Sequence, residues 1–242
     1  MSSISLACPR AVPSNRVRSY GRDKGFRQIW RRAIAAVGVA LLGEAVVVAV
    51  PAQTPVKIVA LGDSLTAGLG LREAEGFVPR LQAFLTAQGA VEVENAGVSG
   101  DTASGGLARL DWSVPQGTDG VILELGANDM LRGIDPKVTY AALDSILRRL
   151  SERHIAVLVC GMRAAPNLGT DYVQAYDRIY PELAAKYGAL LYPFFLDGSA
   201  GDLSLTQRDG LHPNAAGVDV IVTRILPKVQ ELIAQVRRQH PA

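Results

Sequence analysis

The sequence predicts one α/β domain built on a parallel sheet of about five strands with helices on both faces. Three observations predict it. Short apolar runs alternate with longer stretches of helical spacing between residues 56 and 237. The first three runs end in glycine-containing turns. No repeat, low-complexity tract or change of composition interrupts residues 53–242.

The elements follow in order. Residues 56–61 (VKIVAL) form a buried strand ending at Gly62. Residues 77–88 have helical spacing, with Phe77, Leu81, Phe84 and Leu85 on one face, and Gly89 stops the helix. Residues 91–94 alternate as a strand and run into Asn95-Ala96-Gly97. A helix over 102–110 is followed by a third strand, 120–125, closed by Gly126. Pro136 starts a helix over 137–153, and a fourth strand covers 155–159. One helix is predicted over 172–187, broken by Gly188, then a short strand over 190–192. The last helix spans 214–237, with Pro213 at its start.

The bulk numbers exclude some functions. Of 242 residues, 48% are hydrophobic and 20% charged, a balance that makes a core and argues against disorder. The net charge of +2 hides an asymmetry. Residues 1–52 hold eight Lys/Arg against Asp23 and Glu44, whereas the remainder has 17 basic and 21 acidic residues. The folded part is therefore mildly acidic, with no basic patch for nucleic acid. Residues 1–52 read as a signal peptide with a long basic region: Trp30-Arg31-Arg32, an apolar stretch 33–50, and a small-residue exit at Val50-Pro51-Ala52. Export to a periplasm or to the medium is the expectation. Retention as a membrane anchor is the alternative, and Glu44 would be costly there. Membrane contact is expected only through that segment. Cys8 lies in the leader and Cys160 in an apolar run, where a thiol packs as a small hydrophobe. The pattern carries no signal of oligomeric state.

In open parallel sheets, ligands bind beyond the carboxyl ends of the strands. Four segments meet that rule. Ser64, directly after the first strand, sits where a helix N-terminus favours an oxyanion. Gly100, after the second, could offer its N–H to a developing negative oxygen. Asn128, after the third, could donate its side-chain amide. Asp209-Gly210-Leu211-His212-Pro213 precedes the last helix. The chain has three histidines. His240 is in the tail and His154 lies at the far end of the fourth strand, so His212 is the candidate base, with Asp209 orienting it. Taken singly, each has a bland explanation: Ser64 as a helix cap, Gly100 in a flexible loop, Asn128 in an Asx-turn, Asp209 in a turn before a surface histidine. Taken together, they supply nucleophile, donors, base and orienter at one edge of one sheet.

The blocks GDSLTAG (62–68), NAGVSGDTASGG (95–106), GAND (126–129) and DGLHP (209–213) resemble the GDSL/SGNH hydrolase family. Gly106-Leu107-Ala108-Arg109-Leu110, Ile179-Tyr180-Pro181 and Tyr192-Pro193-Phe194-Phe195 are similar to its exported arylesterase, acyl-CoA thioesterase and lysophospholipase branch. The resemblance implies a three-layer, flavodoxin-like sheet of order 2-1-3-4-5. It implies Ser64, Asp209 and His212 as catalytic residues, and an oxyanion hole of the Ser64 N–H, the Gly100 N–H and Asn128. Asp63, Leu65, Leu131, Ala164 and Pro166 would bind substrate. The implied substrate is a small acyl ester or thioester, with no metal and no organic cofactor. Relatives carry a larger apolar residue near Ala164, so no acyl-length preference is implied. A carbohydrate O-acetylesterase with the same machinery and a non-catalytic lipid-binding protein are the competing readings.

Overall fold

The computed structural model describes residues 55–87 and 89–239. The expected signal peptide (1–52) and His240 lie outside the described residues.

The chain opens with β1 (Val56–Gly62), in which only Lys57 is exposed, then a single helical turn, α1 (Ser64–Ala67). After a 3-10 turn at Glu73–Glu75 comes α2 (Phe77–Thr86), then β2 (Val91–Gly97). The paired short helices α3 (Ala103–Ala108) and α4 (Leu110–Ser113) lead to β3 (Gly120–Glu124). Next are α5 (Ala127–Leu131), α6 (Pro136–Glu152) and β4 (Ala156–Cys160). A 3-10 turn at Pro166–Leu168 precedes α7 (Thr170–Asp177), α8 (Ile179–Tyr187), β5 (Leu190–Tyr192) and the long α9 (Ala215–Gln239).

The five strands form one parallel sheet of order β2-β1-β3-β4-β5. Every residue of β3 and β4 is buried, as strands covered on both faces require. The edge strand β2 instead exposes Glu92 and Glu94, charges that discourage pairing with a further strand. Helices α2 and α9 pack together on one face, and α3, α6 and α8 on the other. Leu81, Leu85, Ile225 and Leu232 close the first interface, and Leu143, Ile146 and Leu150 the second. The chain reverses its winding between β1 and β3, which places a crevice at their carboxyl ends.

Two elements depart from expectation. The helix predicted over 102–110 breaks at Arg109, whose backbone (φ −103°, ψ 7°) ends α3 and starts α4. Its side chain is drawn inward to backbone carbonyls, a tertiary demand that helical spacing does not register. The helix predicted over 172–187 is two helices meeting at Arg178. Pro181 has no N–H for the Asp177 carbonyl, so a rung of the helical ladder is missing where the two helices meet.

Candidate active site

The strand register sets the floor of the site. Gly97, Gly62, Glu124, Cys160 and Tyr192 are successive partners in one row across the sheet ends. Gly62 must be glycine for lack of room: a Cβ there would overlap the Thr66 hydroxyl and stand 2.6 Å from Glu124 Oε2. Asp63 then caps α1, accepting the Leu65 N–H on Oδ1 at 3.0 Å. This turn lifts Ser64 to the first helical position, where its N–H has no intrahelical acceptor.

Ser64 Oγ lies 2.9 Å from His212 Nε2, although 148 residues separate them. On the other side of the ring, His212 Nδ1 stands 2.7 Å from Asp209 Oδ2. Asp209 Oδ1 accepts the backbone N–H groups of Leu211 and His212 at 2.9 and 3.0 Å. Those backbone bonds, with the imidazole, hold the Asp209 carboxyl down at about 2, so it is ionised under all working conditions. The loop is braced from outside. Gln207 N–H donates to the His212 carbonyl at 2.7 Å, and Gln207 Nε2 donates to the carbonyls of Leu69 (2.7 Å) and Pro213 (3.0 Å). Gln207 thereby ties the histidine loop to the segment after Ser64. Asn214 accepts the Gly217 N–H at 3.0 Å and caps α9.

Gly100 has φ +83°, a region where side chains are strained, and its carbonyl accepts Arg132 Nη2 at 2.7 Å. Asn128 donates Nδ2 to Asp63 Oδ2 at 3.0 Å and keeps a second N–H for another acceptor. Beneath these loops, Asp129 is fully buried and accepts the Ala103 N–H (2.9 Å) and the Thr139 hydroxyl (3.0 Å). Burial raises its carboxyl despite both bonds. Tyr176 donates to the Gly126 carbonyl at 2.6 Å and Tyr180 to the Leu125 carbonyl at 3.1 Å, pinning the turn that presents Asn128.

The five residues expected to bind substrate are distributed differently. Asp63 has no exposed surface and Leu65 joins the core, so neither side chain is open to solvent. A carboxylate placed at a helix cap turns back onto its own N–H groups, and that local demand directs Asp63 inward. Ala164 is also buried, with its N–H donating to Asp177 Oδ1 at 2.8 Å. Pro166 is partly exposed and opens the 3-10 turn after β4. Leu131 projects into solvent, 54% exposed. Cys160 is buried and unpaired, and burial, then Glu124, pushes its thiol well up. His154 precedes β4 at the opposite edge of the sheet from Ser64. No cluster of metal-ligating side chains occurs among the described residues.

Sequence reasoning missed the residues that brace the site. Arg109 appeared only as part of a motif; Glu124, Gln207 and Tyr176 carried no signal. Their partners lie 4 to 138 residues away, and no local pattern marks the distant ones.

A nucleophile–imidazole–carboxylate line at the switch point of a parallel α/β sheet defines the serine-hydrolase class. Residues 60–220 match the model of the GDSL-like Lipase/Acylhydrolase family, and the chain belongs to that family. It is therefore a hydrolytic enzyme. The esterase TesA of Pseudomonas aeruginosa is 36% identical over 178 residues, covering 73% of this chain and 89% of that protein. Thioesterase 1/protease 1/lysophospholipase L1 of Escherichia coli is 34% identical over 174 residues, 72% of this chain and 83% of that one. Among solved structures, AlinE4, an SGNH-hydrolase family esterase, superposes with a TM-score of 0.62 at 42% identity, covering 74% of this chain and 96% of its own.

Proposed function

We propose that the protein hydrolyses carboxylic esters and thioesters through an acyl-enzyme on Ser64. The observation that carries this reading is the unbroken line from Ser64 Oγ through the His212 ring to Asp209, with steps of 2.9 and 2.7 Å. His212 Nε2 accepts the Ser64 proton as Oγ bonds to the acyl carbon, and the carbonyl electron pair moves onto oxygen. The Ser64 N–H, the Gly100 N–H and the free N–H of Asn128 receive that oxyanion. Its collapse breaks the bond to the leaving alcohol or thiol, which takes the proton from His212. Water then attacks the acyl-enzyme, giving one proton to His212. The second collapse returns that proton to Ser64 and frees the carboxylic acid.

Apolar acyl substrates suit the rim. Leu69, Val98, Leu131 and Leu211, one in each of the segments that follow β1, β2, β3 and β5, are between 41% and 54% exposed. Such a collar offers little to an acetylated sugar, which needs polar partners. The names of the relatives support esters and thioesters alike. The basic and then apolar pattern of residues 1–52 supports export of the mature enzyme.

The test is a kinetic survey of the purified enzyme on p-nitrophenyl esters, acyl thioesters, lysophospholipids and acetylated sugars of graded size. A fluorophosphonate probe should label the wild type and spare Ser64→Ala. Full ester turnover by Ser64→Ala ends the reading. Sequencing the amino end of the protein recovered from its native host tests export: a start near Gln53 supports cleavage.

A further inference from the structure

Two carboxyl groups lie beneath Ser64 with no exposed surface at all: Asp63 and Glu124. The reaction just described uses neither as acid, base or nucleophile. The groups facing Glu124 are Asp63, the Thr66 hydroxyl, the Cys160 thiol of β4 and the Tyr180 phenol of α8, none of them a cation. The His212 ring acts on Asp63 but no cation faces Glu124, and a second buried anion beside the first is very costly, so the pair holds a proton.

The hydrogen bonds indicate which partner holds it. Both Asp63 oxygens are satisfied by N–H donors, Oδ1 by Leu65 and Oδ2 by Asn128, each at 3.0 Å. Glu124 is served on one oxygen only: Oε2 accepts the Thr66 hydroxyl at 2.7 Å and the Asp63 N–H at 3.3 Å. Its Oε1 is buried with no partner. With the acid proton on Oε2, shared with the Thr66 hydroxyl across their 2.7 Å contact, the bare Oε1 is a carbonyl oxygen, which tolerates a missing partner far better than a carboxylate oxygen does. The charge therefore belongs on Asp63 and the proton on Glu124. Burial acts in the same direction, pushing the Glu124 carboxyl well up and Asp63 to about 6, with the His212 ring helping to hold Asp63 down.

We propose that Glu124 is a positioning residue: as a neutral carboxylic acid it keeps Asp63 the anion that dictates which end of the Asn128 amide faces the substrate. An anionic Asp63 can only accept, so it admits the NH2 end of Asn128 and leaves that group's second N–H for the reacting carbonyl. A protonated Asp63 could donate instead. It would then accommodate the amide turned over, with Oδ1 in place of Nδ2 and a lone pair presented where an oxyanion forms. This inference rests on the acyl-transfer reading and assigns a task to two groups that the reading leaves idle.

A double-mutant cycle tests it. Asn128→Ala should lower kcat by about 10²-fold with KM little changed, as loss of one oxyanion donor does. Asp63→Asn should lower kcat by a similar factor, and the double variant should be no worse than Asn128→Ala alone, since Asp63 acts through Asn128. Glu124→Gln, a neutral isostere, should be the milder change, losing less than about tenfold. Carboxyl-carbon NMR of the ¹³C-Glu-labelled wild type at neutral pH should place Glu124 at a protonated shift; this measurement needs no variant to fold. An ionised Glu124 signal, a Glu124→Gln variant more impaired than Asp63→Asn, or fully multiplicative losses in the cycle overturns the proposal while leaving acyl transfer intact. Full kcat in Asn128→Ala overturns the oxyanion assignment and this proposal with it.

Discussion

Arg109 Nη2 donates to the Gly62 carbonyl at 2.8 Å, joining the junction of α3 and α4 to the residue two before Ser64. The same guanidinium reaches the Ala96 carbonyl and the Ser113 hydroxyl through Nη1, each at 2.8 Å, and Asp101 through Nε at 2.6 Å. A planar fork with several fixed donors can hold the ends of β1 and β2 and the loop bearing Gly100 together, which a lysine ammonium cannot. The Arg109 and Asp101 side chains are each 14% exposed, so the pair is shielded from solvent.

Arg109→Lys should therefore cost more than a conservative change suggests. Removing the fork leaves Asp101 and two carbonyls under-served, for a loss of about 3 kcal/mol in unfolding free energy. Urea unfolding checks the stability. Steady-state kinetics should show the defect in kcat rather than KM, because the Gly100 loop shifts against Ser64.

Ser64→Ala and Asp209→Asn separate attack from orientation. The first should reduce kcat by about 10⁴–10⁶-fold, the scale on which a missing serine nucleophile is felt. The second keeps the hydrogen-bonding shape but stabilises the wrong tautomer of His212, with a loss of about 10²–10⁴-fold. Both should keep wild-type melting temperatures to within a few degrees, roughly what a surface substitution allows. Burst kinetics with p-nitrophenyl esters would show whether an acyl-enzyme still forms in Asp209→Asn.

Stability should fall as pH rises above the ordinary carboxylate range. Burial raises Asp63 to about 6 and pushes Glu124 well above its ordinary value, so the native state keeps protons that the unfolded chain has released. Wherever the native state binds more protons, unfolding free energy decreases with increasing pH. The contribution is fully present below about pH 4, where the unfolded groups are also protonated, and is lost as pH climbs through the folded values. The depressed group Asp209 acts the other way, but only as pH falls toward about 2. Urea midpoints at pH 5 and pH 8 measure the slope, and Glu124→Gln should flatten it.

The rim leucines should govern long substrates more than short ones. Leu131→Asp and Leu211→Asp replace side chains 54% and 53% exposed and should leave stability nearly unchanged. Each forfeits apolar contact with a long acyl chain, worth about 1 kcal/mol or roughly a fivefold rise in KM. The ratio of kcat/KM for octanoate and acetate esters is the measurement, and an unchanged ratio removes these residues from the binding surface.

Amino-acid order alone determined the strand–helix alternation, the strand ends to within three residues, and the four segments that carry Ser64, Gly100, Asn128 and His212. These are local properties: period-two and period-3.6 patterning, glycines at turns and a proline ahead of the last helix all act within a few residues. The break at Arg109 was invisible to patterning because it answers to distant carbonyls, whereas the break at Arg178 has a local signal in Pro181 that apolar spacing overrode. Tertiary structure alone decided that Glu124 lies beside Asp63 and that Arg109 and Gln207 bind the loops together. Buried polar groups must find partners wherever the fold brings them, and those partners are set by strand register, not by spacing along the chain.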